Sequence, residues 1–255
     1  MKKIFACRPG CYDLPLAEAL KELKKAGLDY AEVNLPEDDD YESLFKAADE
    51  AGITVSSLGY TFTLDDEAGA KKLSKAICEA GKNGVKVIFL AVCQGKISYE
   101  EGIEILKKFA GEAADAGVVL SVETHVPFGH NGEAALKTMQ AVNSPGIGHN
   151  FDTANIYYYN PRGIDTVEEL KKTVDYVSSV HLKESAKGEP ETFDFPVFGE
   201  GIVDFPEVFR ILDAKGFNGP YTLELEGPLV NGLPVEERTA KVKACMNYLK
   251  DKGLL

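Results

Sequence analysis

The chain has 255 residues, a formal net charge of −13 and a sequence pI near 4.9. So acidic a balance excludes nucleic acid and an anionic membrane surface as partners, because both need a basic face. Five scattered cysteines without a C-x-x-C pair, a basic start (Met1-Lys2-Lys3) with too few apolar residues for a signal segment, and no stretch near the roughly 18 apolar residues of a membrane span predict a soluble, cytoplasmic protein with reduced thiols.

Ile4–Cys7 reads as a first strand, and Leu14–Ala26 as a helix with Leu16, Leu20 and Leu23 at helical spacing, stopped by Gly27. Tyr30–Leu35 alternates as a second strand, with Glu32 and Asn34 on one face, and the helix Tyr41–Ala51 is closed by Gly52. The strand Ile53–Leu58, a helix from about Asp65 to Ala80, the strand Val85–Val92 and the helix Tyr99–Ala116, closed by Gly117, continue the rhythm. Val118–Thr124, Gly132–Val142, Ile147–Asp152, Thr166–Asp175, Ser178–Lys183, Phe205–Ala214, Tyr221–Glu226 and Val235–Lys252 complete eight strand–helix units. The Phe205 helix starts with Asp204 as N-cap and Glu207 at its third position.

Alternation of this kind means parallel pairing through helical crossovers. An open doubly wound sheet is the rival, but no Gly-x-Gly-x-x-Gly or Walker-type loop follows any strand, so no nucleotide cofactor is expected. The predicted class is α/β, a single (β/α)8 TIM barrel, with one domain over residues 1–255.

In such a barrel, side chains at the C-terminal strand ends converge on one mouth. Val118, Leu120 and Val122 face outward, so Glu123 and His125 face inward. Asp152 takes the inward face of the next strand, His181 and Lys183 that of the seventh, and Glu224 and Glu226 that of the eighth. An inward acid on one strand is ordinarily part of an internal ion-pair layer. Four successive strands each delivering a ligand-competent group point instead to a divalent cation, since unneutralised carboxylates in one mouth repel. Three carboxylates and an imidazole suit Mn²⁺ or Mg²⁺, with Co²⁺ competing, better than a closed structural zinc site.

The segments Ser121-Val122-Glu123-Thr124-His125, Asn150-Phe151-Asp152-Thr153-Ala154-Asn155, Val180-His181-Leu182-Lys183-Glu184, Gly199-Glu200-Gly201 with Asp204-Phe205, and Gly219–Pro228 resemble the xylose isomerase-like barrel superfamily, the sugar phosphate isomerase/epimerase group. The resemblance implies one divalent metal, Mn²⁺ first and Mg²⁺, Co²⁺ or Zn²⁺ as substitutes, held by Glu123, Asp152, His181 and Glu224. It also implies that the two glutamates form the proton-transfer pair. Glu226, of the same parity as Glu224, is the second choice for the fourth ligand. Where members carry Asp-x-x-His, this chain has Asp152-Thr153-Ala154-Asn155, and an amide cannot take part in proton transfer. The superfamily's zinc endonuclease branch is rich in histidine, whereas this chain has only four and is acidic.

The reading is a metal-dependent sugar isomerase or epimerase acting on a hydroxy-carbonyl compound through an enediolate. A dehydratase or lyase on a keto-sugar or keto-glycoside and a non-catalytic sugar-binding barrel are the alternatives. Glu123, Glu224 and Lys183 are the expected catalytic groups, with Lys183 reaching an enediolate oxygen. His125, Asn155, Glu32 and Tyr157 are the expected contacts to the carbohydrate. His149 reads as structural and His130 as an exposed loop residue. Arg8 and Lys187 are the countercharges for an anionic substrate, and Phe193, Phe195 and Phe198 form a loop able to cover the mouth. A homo-oligomer or a partner subunit stays open.

Overall fold

A computed structural model describes residues 3–255; Met1 and Lys2 of the basic start lie outside the described residues. The described strands are β1 Ile4–Cys7, β2 Tyr30–Asn34, β3 Thr54–Thr63, β4 Val87–Cys93, β5 Val119–Glu123, β6 Ile147–Asp152, β7 Val177–Leu182 and β8 Pro220–Leu223. They pair in parallel in sequence order, and β8 pairs with β1 to close the barrel. The helices are α1 Leu16–Lys25, α2 Tyr41–Ala51, α3 Glu67–Lys82, α4 Tyr99–Ala116, α5 Gly132–Val142, α6 Asn155–Tyr158, α7 Thr166–Thr173, α8 Phe205–Ala214 and α9 Val235–Asp251. The chain is therefore a single (β/α)8 TIM barrel. No helix among the described residues is long and apolar enough to cross a membrane.

Local chemistry sets the element ends. Pro15 sits at the N-cap of α1, so that helix starts at Leu16 and not at Leu14. Asp66 accepts from Ala68 N and starts α3 two residues later than its apolar spacing suggests. Ser98 and Glu101 close a reciprocal capping box on α4, and Gly117, at φ 67°, ends it in the left-handed conformation that glycine adopts without cost. Leu20, Leu23, Leu73, Ile77, Leu106 and Phe109 are buried between helices and barrel wall.

Three expectations shift. β3 runs on to Thr63, paired with β4 from Ser57 onward. The expected helix Thr166–Asp175 ends as α7 at Thr173 and runs into a short 3-10 turn, Val174–Tyr176, while α6 is an additional short helix before it. β8 ends at Leu223, so Glu224 stands past the strand; one more backbone bond, Glu224 N to Leu182 O at 3.1 Å, still fixes it.

The barrel interior is polar midway along. Ser121 Oγ lies 2.6 Å from Ser178 Oγ and 2.7 Å from Ser179 Oγ, and Asn150 Nδ2 donates to Ser179 Oγ at 2.7 Å. On the outer face of β6, His149 is fully buried, its two ring nitrogens 3.1 Å from Thr124 Oγ1 and 2.8 Å from Thr173 Oγ1. That is the structural role read from its parity.

Burial pushes the His149 imidazole from its ordinary 6.5 down to about 3. The unfolded chain takes up this proton below 6.5 while the fold refuses it, so stability is lost as pH falls through that window. The loss is up to about 1.4 kcal/mol per pH unit. His149→Gln should flatten this slope in urea denaturation across the window. An unchanged slope would show that the ring is protonated in the fold.

Candidate metal centre

β5, β6, β7 and the residue after β8 bring four side chains to one level. Asp152 is in register with His181, and Glu123 with Asn150. Glu123, Asp152, His181 and Glu224 each offer one ligand atom, and these atoms lie within 4.8 Å of one another. All four side chains are buried, Asp152 and His181 completely.

Neighbouring groups fix their orientation. Asp152 Oδ1 accepts from Ala154 N and Asn155 N, both at 2.8 Å, which turns Oδ2 to the centre. His181 Nε2 is held 2.9 Å from Glu32 Oε1, leaving Nδ1 facing the other ligands. Glu32, fully buried, accepts from Ser57 Oγ at 2.8 Å, so its carboxylate is itself held. The Phe89 ring packs at 4.3 Å on the imidazole. Asn155 donates to Glu123 Oε1 at 3.2 Å and accepts from Lys183 Nζ at 3.1 Å. Gly129 allows the loop after β5 to fold back on the strand end, since a Cβ there would stand 2.6 Å from Glu123 O.

Asp152 Oδ2, His181 Nδ1 and Glu224 Oε2 are buried without a hydrogen-bond partner. Lys183 Nζ comes within 3.1 Å of Asp152 Oδ2 and 2.7 Å of Glu224 Oε2, and His181 Nδ1 within 3.3 Å of Glu224 Oε2. These are attractions of charge that leave the lone pairs undirected. Buried, convergent oxygen and nitrogen donors are what a hard divalent cation takes. The residues fit such an ion.

Set by the protein's own groups, the two glutamates differ. Glu123 is pushed up to about 8, by burial and then by the charge of Glu224. Burial would raise Glu224 too, but Lys183, His181 and Arg8 outweigh it and hold that carboxyl well below its ordinary value. Asp152 is raised to about 6 by burial. Burial opposes charge on His181 and Lys183, yet Glu32 and Glu224 push the imidazole up to about 10, and Asp152, Glu224 and Glu226 hold the ammonium above its usual range.

The other expected residues divide. Asn155, Glu32 and Lys183 meet at the centre. Glu226 lies outside the four, its side chain 39% exposed and 2.8 Å from Lys183 Nζ. His125 is half-buried and edge-on to Tyr159, with Nδ1 donating to Val126 O. Tyr157 turns away into the apolar core beside Gly188, and Tyr158 and Tyr159 line the mouth instead, because α6 rotates successive rings to different sides. Phe193 and Phe195 reach the mouth, while Phe198 packs on Phe205 at 4.7 Å. His130 is half-buried, not exposed, because Asn160 Nδ2 donates to its carbonyl and ties the loop down. Lys187 is exposed and lines none of the mouth cavities described below. Arg8 pairs with Glu224, donates to Asn34 Oδ1 at 3.1 Å and stacks over Phe89. Phe89 and Ser57 escaped the sequence reading; Phe89 stands in an unbroken apolar run that gives period two no contrast.

A family model described as a xylose isomerase-like TIM barrel matches residues 20–252. L-ribulose-5-phosphate 3-epimerase UlaE of Escherichia coli (strain SMS-3-5 / SECEC) is 28% identical over 238 residues, 82% of this chain and 81% of the relative. Among solved structures, an L-ribulose 3-epimerase superposes with a TM-score of 0.79 at 17% identity, covering 98% of this chain and 94% of the other. A xylose isomerase-like TIM barrel protein from Mycobacterium smegmatis in complex with magnesium gives 0.74 at 18% identity, covering 98% and 100%. At these identities the two structures show the fold alone.

Lys183→Met removes the cation shared by Asp152, Glu224 and Glu226, leaving buried carboxylates unpaired. In EDTA at pH 8 it should cost about 3–5 kcal/mol in urea denaturation. A loss below about 1 kcal/mol, the size of an exposed pair, would show that the ammonium is not held there.

Proposed function

The chain belongs to the xylose isomerase-like TIM barrel family, and on that premise we propose that it is a metal-dependent enzyme that epimerises or isomerises a sugar next to its carbonyl. The observation that carries this reading is the convergence of buried donor atoms from Glu123, Asp152, His181 and Glu224 within 4.8 Å of one another. One barrel domain is taken to carry the activity. The curated relative is by name a 3-epimerase, which favours epimerisation over isomerisation.

Glu123, Asp152, His181 and Glu224 hold one divalent ion, Mn²⁺ by preference. When bound, it supplies Lewis-acid polarisation of the substrate's carbonyl and neighbouring hydroxyl oxygens. One of the two glutamates, Glu224 in the assignment tested below, takes the proton from the carbon next to the carbonyl. The other glutamate, Glu123, returns a proton. Return to the same carbon from the other side inverts it, and return to the neighbouring carbon isomerises the sugar. Lys183 keeps its charge, so it donates a hydrogen bond to developing negative oxygen and does not form a Schiff base. Asn155 sets the separation of Glu123 and Lys183 and is placed to meet a substrate hydroxyl. Glu32 orients His181 in place of touching substrate.

Mn²⁺ should raise the melting temperature of EDTA-treated protein. His181→Ala should abolish that shift, and Glu32→Gln should weaken Mn²⁺ affinity by about 10–100-fold in calorimetry. Wild-type affinity in both variants would remove these residues from the centre.

In D₂O, metal-loaded enzyme should introduce deuterium next to the carbonyl of its ketose substrate. At saturating Mn²⁺, Glu224→Gln should slow that exchange by about 10²–10⁴-fold, with Glu226→Gln milder. No exchange and no conversion over a panel of ketoses and aldoses would leave a sugar-binding barrel in place of an enzyme.

A further inference from the structure

Resting on that epimerase reading, we infer that the substrate is an uncharged polyhydroxy ketone and not a sugar phosphate. Two cavities open on the centre, a cleft of about 450 Å³ toward β1, β2 and β8 and a pocket of about 200 Å³ against Tyr159 and Phe195, and a third of about 250 Å³ toward Tyr60 and Thr61 shares Arg8 with them. Together they suit a sugar of five or six carbons.

Among the described residues, the cations lining these cavities are Arg8, Lys72 and Lys183, and each is already engaged. Lys183 Nζ stands within 3.1 Å of Asp152, Glu224 and Glu226, and Asn155 Oδ1 accepts from it as well. Arg8 is bound to Glu224 and Asn34, with Glu32 at 3.7 Å. Lys72 donates to Glu37 O at 3.2 Å, with Asp39 at 3.9 Å. The carboxylates Glu32, Glu37, Glu123, Asp152, Glu224 and Glu226 stand at or beside these cavities, so each lining cation already has an acid or a carbonyl oxygen against it.

The other device a barrel uses for phosphate, free backbone amides in the loops after strands seven and eight, is filled on the strand-seven side. Buried Glu184 accepts from Ser185 N at 3.0 Å, Val203 N at 2.9 Å and Gly199 N at 2.9 Å. Gly201 leaves room for it, since a Cβ there would stand 2.5 Å from Glu184 Oε1. The chain's own carboxylate thus occupies the anion cradle. A phosphate dianion would enter a mouth whose lining cations are all held by carboxylates or carbonyl oxygens, whereas hydroxyl groups can both donate to the carboxylates and accept from Arg8, Lys183 and Asn155.

The test compares free keto-pentoses and keto-hexoses with their terminal phosphate esters, using Mn²⁺-loaded enzyme and deuterium exchange. The free sugar should have a kcat/KM at least about 100-fold above its ester. Equal values, or a preference for the ester, would overturn the inference and leave the epimerase reading standing. Absence of exchange with every compound would defeat the epimerase reading itself. Calorimetry with an unreactive hexitol and its phosphate then judges the charge argument separately. Tighter binding of the hexitol upholds that argument, and tighter binding of the phosphate overturns it.

Discussion

Like charges held together without water govern this barrel. Glu32, Glu123, Asp152 and Glu224 are almost fully buried and close to one another, and each would be costly alone. The chain offsets them with Lys183, Arg8 and a histidine braced by Glu32, all inserted between the carboxylates from other strands. The result is a site in which Asp152 Oδ2, His181 Nδ1 and Glu224 Oε2 are held by charge rather than by well-directed hydrogen bonds. Structural cations and ligand atoms share the same small volume. Substitution of any one of them therefore alters both stability and chemistry, and the two effects are separable only when metal occupancy is controlled.

Much of this was legible because β5 to β8 alternate cleanly. Outward Leu120 and Val122, Phe151, and Val180 and Leu182 fix the parity, so Glu123, Asp152 and His181 had to face inward, and closure of the barrel brings them together. The helices with glycine stops and polar caps were placed closely for the same reason: their boundary signals are local. Glu224 was found by parity although β8 ends before it, because one further ladder bond continues the strand's geometry.

What escaped depends on partners distant in sequence. Period two puts Glu32 inside, where it could meet substrate or support the site, but says nothing of His181, which lies across the barrel and is the partner it is found against. Phe89 was hidden by apolar residues on both faces of β4. The choice of Tyr157 failed because the residues after β6 coil into a short helix, where neighbouring side chains point in different directions. Such loops are set by packing and not by pattern.

The carboxylate of Glu184 has a consequence for how such barrels diversify. It ties both ends of the loop between β7 and α8, Ser185 at the start and Gly199 and Val203 at the finish, to a single buried anchor. The stretch between them, which carries Phe193 and Phe195 over the mouth, hangs from that anchor as an exchangeable cassette. Its length and sequence can drift, by mutation or by grafting, while the frame that positions the reacting groups keeps its shape.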